Sequence, residues 1–381
     1  MNKPKIYKFT GAIVLLSIIG GAIWYWQLPN RHKAIIKSLI LYKTGILDNH
    51  WTINNSEEEY KMISPTLYID GIYQSMEGPK ANNTVQFTQD SSLLYITGFK
   101  VKALDSKTRK VISKDFICHT NIDFNDVKYY SNFHLENRIG KQYPRMATLS
   151  HGFESYKFPQ GYGIPMKGND ILYVYTQALN HNIKNSNKLI KHEVTFSYSK
   201  KKQLKPLMCR TVYIQLPFNE SDPYKSPLDP SNNRCIPVET NNHIYEDEKG
   251  HKLSGHWVIN PGKKTYSSSV NQLLLIKDSL RLHAATIHVH PFSTSITLYD
   301  KTAHSVVFKS NIINHIGSIG ITKIDAFSSV EGIWLYQNHD YSLILTVDNT
   351  SGVNKEMMGS MSLFFYDQEL DAILNPKTKK L

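Results

Sequence analysis

From about Ser64 the chain is a succession of short runs rich in β-branched and aromatic residues, each bounded by Gly, Pro, Asn or Asp. Residues 85–87, 93–99, 194–198, 212–216, 295–299 and 342–347 are of this kind. Such side chains suit a pleated, half-buried surface, and the turn formers between them reverse the chain. Beyond residue 47 helical runs are few and strands do not alternate with helices, which excludes a doubly wound α/β enzyme. The pattern predicts an all-β fold of sandwich type. With 381 residues, 41% of them hydrophobic and 20% charged, the chain has room for two globular domains. Residues 217–233 (PFNESDPYKSPLDPSNN) carry four prolines among turn formers and are the predicted boundary. The excess of 44 basic over 32 acidic residues, net +12, is scattered. No zinc-finger, helix-turn-helix or RNA-binding signature accompanies it, so a nucleic-acid partner is not expected.

Within this β pattern, residues 282–292 (LHAATIHVHPF) stand out. On a strand, His288 and His290 project from one face while Ala285, Ile287 and Val289 project from the other. Two strand steps separate their Cα atoms by roughly 6.6 Å, within reach of one shared metal ion. A strand that merely carries two of the chain's 16 histidines is the plainer reading. About 70 residues later, Glu356 to Met361 (EMMGSM) runs into the apolar SLFFY at 362–366. A thioether is a soft ligand suited to copper(I), and two imidazoles with a weak sulfur make a redox-capable copper site. Methionines also simply fill cores.

His288-Val289-His290, followed by 300–310 (DKTAHSVVFKS) and closed by Met358 and the LFFY run, resembles the C-terminal domain of copper type II, ascorbate-dependent monooxygenases. This is the family of peptidylglycine α-hydroxylating and dopamine β-monooxygenases, and the similarity is to its bacterial branch. It covers roughly residues 65–372 and is strongest from Gly255 onward (GHWVINPGKK). The resemblance implies two jelly-roll β-sandwiches in tandem, 64–216 and 235–372, joined by a loop at 217–234, with a copper site on each. It implies that His288, His290 and Met358 hold the copper that meets dioxygen. Met357 and Met361 stay open, since a one-residue slip turns a side chain to the opposite face. It also implies ascorbate as reductant and an unidentified small-molecule or peptide substrate.

The first domain departs from that pattern. The family's electron-entry copper takes a tandem His-His and a later His, and the corresponding places hold Cys118-His119 and Leu179. His181 lies two residues beyond Leu179 and shares its face on a continuing strand. Cys118, His119 and His181 could form a second site, or could be ordinary residues of a sandwich that lost this metal. Cys118, Cys209 and Cys235 are the only cysteines. An extracytoplasmic setting favours one disulfide among them with one free thiol, and a bonded Cys118 could not be a ligand. At the places where the peptidylglycine enzymes capture a carboxylate this chain has Thr286, Ser360 and Ser362. A Thr cannot replace a bidentate guanidinium, so peptidylglycine is rejected as substrate.

Residues 9–26 (FTGAIVLLSIIGGAIWYW) form an uncharged apolar run ending in an aromatic cluster. They predict a transmembrane helix within an N-terminal anchor (1–30), single-pass in a lipid bilayer, with the remaining domains extracytoplasmic. Residues 31–63 read as a short amphipathic helix, lying on the membrane or packed beneath the soluble part, then an acidic linker at 54–60. Residues 373–381 read as a basic tail. Two functions follow: a copper-dependent monooxygenase-like oxidoreductase, or a membrane-anchored copper-binding protein without turnover that stores, delivers or senses the metal.

Overall fold

The apolar alternation expected of strands is carried into their burial. Along Tyr341–Asn349, Leu343, Leu345 and Val347 are fully buried, every second residue turned to the core. The computed structural model describes residues 3–201, 204–218, 220–224 and 245–376. It is mostly β-sheet, 48% strand and 15% helix.

An 11-stranded sheet is the backbone of the molecule. Its path begins at the hairpin of Thr52–Asn55 and Glu59–Ile63 and passes through Lys188–Ser199, Leu93–Asp105 and Tyr162–Lys167. It continues through Lys205–Tyr213, Gly359–Tyr366, Leu280–Val289 and Phe327–Leu335. All described pairings are antiparallel except the two-residue contact of Lys205–Tyr213 with Tyr162–Lys167. A four-stranded sheet orders Lys80–Val85, Leu172–Ala178, Ile117–Phe124 and Arg145–Ser150. A five-stranded sheet orders Gly262–Ser269, Tyr341–Asn349, Ser293–Asp300, Ser305–Asn314 and Ile321–Ile324. The short strands Trp257–Ile259 and Lys355–Met357 pair beside them. One buried apolar cluster runs from Ala34 to Leu370 through both halves.

The strand Lys205–Tyr213 precedes the expected inter-domain loop, yet pairs over seven residues with Gly359–Tyr366. The two halves are thus stitched by main-chain hydrogen bonds and not only by a linker. The acidic stretch expected as a linker instead supplies the edge hairpin, with Ser56 N–H and Glu59 O closing its turn at 2.8 Å. Most of the loop 217–234, the start of the expected second domain up to 244 and the end of the basic tail lie outside the described residues.

The N-terminal run does form a helix, Lys3–Gln27. Among the described residues, however, no helix is long and apolar enough to cross a membrane. The expectations of a transmembrane anchor and a membrane location are corrected accordingly. Ser17, Gly20 and Gly21 interrupt the aliphatic run. A second helix, Asn30–Lys43, starts after Pro29, which lacks the N–H needed to continue the first. It packs on the body through a Lys37–Asp70 ion pair and through Tyr42 Oη, which donates to Thr66 O at 2.7 Å.

The disulfide expectation is also corrected. Cys118 and Cys209 are both free thiols, and Cys235 lies outside the described residues. Cys118 sits on Ile117–Phe124 and Cys209 on Lys205–Tyr213, in different sheets. Burial pushes their pKa values up, to about 11 and about 12, so both stay protonated.

Candidate metal centre

Register decides which side chains meet. Gly359–Tyr366 lies between Lys205–Tyr213 and Leu280–Val289, and residues directly opposite share a face. One cross-strand row is Tyr213, Ser360 and His288, and the next on the same face is Thr211, Ser362 and Thr286. The intervening row, Val212, Met361 and Ile287, faces the other way and is buried in the core.

The first face forms one wall of a cavity lined also by His290, Met358 and His256. From the N-terminal half, His119, Asn121, Arg145, Thr148, Ser75 and Met76 close it. Asn121 and Thr148 are register partners on neighbouring strands, and their side chains are hydrogen-bonded at 3.0 Å. Strand alternation therefore builds both sides of the cavity.

The structure brings His288, His290 and Met358 to this cavity together, with the two ring centroids 5.7 Å apart. Of the other methionines, Met361 is on the core face, and Met357 is fully buried with its sulfur accepting from Ser293 Oγ at 3.3 Å. Thr286, Ser360 and Ser362 line the wall beside the histidines. His290 Nδ1 is 3.2 Å from Glu356 O, which as an acceptor fixes the proton on Nδ1 and leaves Nε2 with a lone pair. That nitrogen meets Ser75 Oγ at 3.2 Å. His288 Nδ1 is buried without a hydrogen-bond partner.

Burial, first of all, pushes the imidazoles toward neutrality. His290 is lowered to about 4, with His256 adding repulsion, and His119 to about 3, with Arg145 adding to it. His288 is held well below its ordinary value by burial and then by His290. Neutral imidazoles are the form that ligates metals.

His119 comes to the cavity, its ring 6.2 Å from that of His288. Cys118 Sγ lies 3.2 Å from His119 Nδ1. His181 goes elsewhere, into a neighbouring cavity with Ile72, Gln74, Lys355 and the far side of His290. Cys118, His119 and His181 are therefore not assembled as a group. Among the described residues, the group of three His, Cys, Asp or Glu side chains whose ligand atoms all lie within 4.8 Å is Asp115, His151 and His315.

Two features escaped the sequence reading. His256, with its ring 5.4 Å from His290 and Nε2 3.7 Å from Glu356 Oε2, sits just before Trp257–Ile259. Only the pairing of that strand with Lys355–Met357 brings it to the site. The Asp115–His151–His315 group joins residues far apart in the chain and left no local motif.

A scan of protein-family models and a search of curated proteins give no match. Among solved structures, a peptide-N(4)-(N-acetyl-beta-D-glucosaminyl) asparagine amidase is similar at 8% identity, covering 79% of this chain and 95% of its own, with a TM-score of 0.31. The major capsid protein P2 of bacteriophage PM2 follows at 12% identity, 81% and 99% coverage and TM-score 0.30. PNGase F from Flavobacterium meningosepticum is similar at 9% identity, 83% and 94% coverage and TM-score 0.30. Likeness at these scores carries no argument about activity.

Proposed function

We propose that this chain is a copper-binding protein built as two jelly-roll β-sandwiches in tandem, holding one ion at His288, His290 and Met358. The observation that carries this reading is that His288, His290 and Met358 line the same cavity. The donor set fits a soft redox ion: two neutral imidazoles and one thioether, with the unpartnered His288 Nδ1 as a polar atom that otherwise gains nothing from burial. The Glu356 carbonyl orients His290 through its other nitrogen, the usual support for a metal-binding imidazole. Ser75 would give up its contact with Nε2. Copper bound there would supply one-electron redox chemistry with dioxygen.

Among the described residues, His181 lines a different cavity from His119, which argues against a second copper site in the first half. This favours storage, delivery or sensing of copper. Ascorbate-dependent hydroxylation of a C–H substrate is the second reading, supported by the hydroxyl-lined wall beside the histidines and by His119 at their edge. The wild-type chain loaded with copper(I) under reducing, oxygen-free conditions is expected to retain one ion. The His288→Ala, His290→Ala double variant, with its thermal midpoint recorded as a folding control, is expected to retain essentially none. Equal retention by the two sinks the site. Substrate-stimulated oxygen uptake with ascorbate would move the conclusion to the enzyme.

A further inference from the structure

We infer that Asp115, His151 and His315 form a second metal site, for a divalent first-row ion such as zinc, which ties the N-terminal half of the chain to the C-terminal half. The three come from the 3-10 turn Lys114–Phe116, the end of Arg145–Ser150 and the end of Ser305–Asn314. Both imidazole Nε2 atoms point at the same carboxylate oxygen, Asp115 Oδ1, from His315 at 2.9 Å and from His151 at 3.2 Å. Two donor atoms bound at about 2.0–2.1 Å to one ion, at octahedral or tetrahedral angles, lie roughly 2.9–3.4 Å apart. The spacing therefore suits a shared ion as well as it suits hydrogen bonds.

Two further observations favour the ion. His151 is buried, and because Nε2 accepts a hydrogen bond the neutral ring carries its proton on Nδ1 and presents a lone pair at Nε2. The donor is Ile321 N–H at 2.9 Å, and one nitrogen cannot accept from the backbone and donate to a carboxylate at once. An ion taking that lone pair answers the carboxylate, at the expense of the Ile321 bond. The second observation is Gly320. A Cβ there would lie 2.3 Å from His315 Cδ2 and 3.1 Å from His151 Cε1, so the absence of a side chain is what admits both rings. His315 Nδ1 meets Thr322 Oγ1 at 2.9 Å, which orients the ring and leaves Nε2 for a ligand role. With two nitrogens, one oxygen and no sulfur, the set suits zinc, cobalt(II) or iron(II) rather than copper(I).

The site is independent of His288, His290 and Met358, so it is tested in the full chain carrying His288→Ala and His290→Ala. That chain is stripped with chelator, reloaded with zinc or cobalt(II), and freed of excess metal. One zinc per chain, a higher thermal midpoint and visible cobalt absorption are expected, because an ion held only by the folded state stabilises it. Adding Asp115→Asn, which keeps the shape of the carboxylate, or His315→Ala should lower zinc retention roughly tenfold or more and abolish the midpoint rise. The inference is overturned if the background chain retains no zinc, or if both further variants retain as much as it does. In the first case the triad is a hydrogen-bonded ion pair alone. Either failure leaves the copper reading untouched.

Discussion

At the scale of single residues, three methionines within five positions are separated by direction alone. Met358 lines the histidine cavity, whereas Met361, fully buried, packs in the row with Val212 and Ile287. Met361→Ala should therefore cost about 2–5 kcal/mol of stability while leaving copper stoichiometry unchanged. Met358→Leu should weaken copper(I) binding with little change in the unfolding midpoint. Urea unfolding beside copper(I) competition titration separates them, and a copper defect in Met361→Ala at full folding would refute the assignment. The resemblance pointed to Met358 but left Met357 and Met361 open, because the register that decides which face each takes is set by neighbouring strands and not by the local sequence. His256 was not legible, since its approach to His290 depends on pairing between residues nearly a hundred positions apart.

At the scale of elements, the C-terminal helix Gln368–Leu374 is capped and anchored at its start by Asp367. Asp367 accepts from Leu370 N–H at 3.0 Å as its cap and takes both terminal nitrogens of Arg138, at 2.5 and 2.9 Å. Arg138 also reaches Glu369 at 2.6 Å. Asp367 is only 2% exposed, so its removal leaves the guanidinium facing a buried gap. Asp367→Ala should cost about 3–5 kcal/mol, more than a lost cap alone. Chemical denaturation of the single variants and of the Arg138→Met, Asp367→Ala double variant checks this. Strict additivity would deny the pairing. Cap chemistry of this kind is local, but the Arg138 partner is not, and the same limit hid the edge hairpin. Its polar Asn54 to Glu59 carry a strand pairing that only the neighbouring Lys188–Ser199 makes favourable. The longer β-branched runs, by contrast, stood out because their own composition favours the sheet, as in Leu93–Asp105 and Tyr341–Asn349.

At the scale of the whole molecule, folding takes several imidazoles out of water at once. Burial is the first cause of lowered pKa values at His119, His181, His192 and His290. His192 shows the effect without metal chemistry. It is fully buried in the first half, with Nδ1 2.7 Å from Thr176 Oγ1 and Nε2 3.2 Å from Phe116 O, and its pKa is lowered from 6.5 to about 4. An unfolded chain protonates this ring below 6.5, while the native state resists until about 4. The unfolded state thus binds more protons across that window, and native stability falls as pH drops through it. At pH 4 the loss from this one residue is on the order of 3 kcal/mol. The metal-free protein should be most stable above pH 6.5 and lose its urea midpoint steeply toward pH 4. His192→Gln, which cannot titrate, should lower stability at pH 7 yet flatten the acid limb. An equally steep limb in that variant would mean that other groups carry the pH dependence, with the burial of His192 contributing nothing to it.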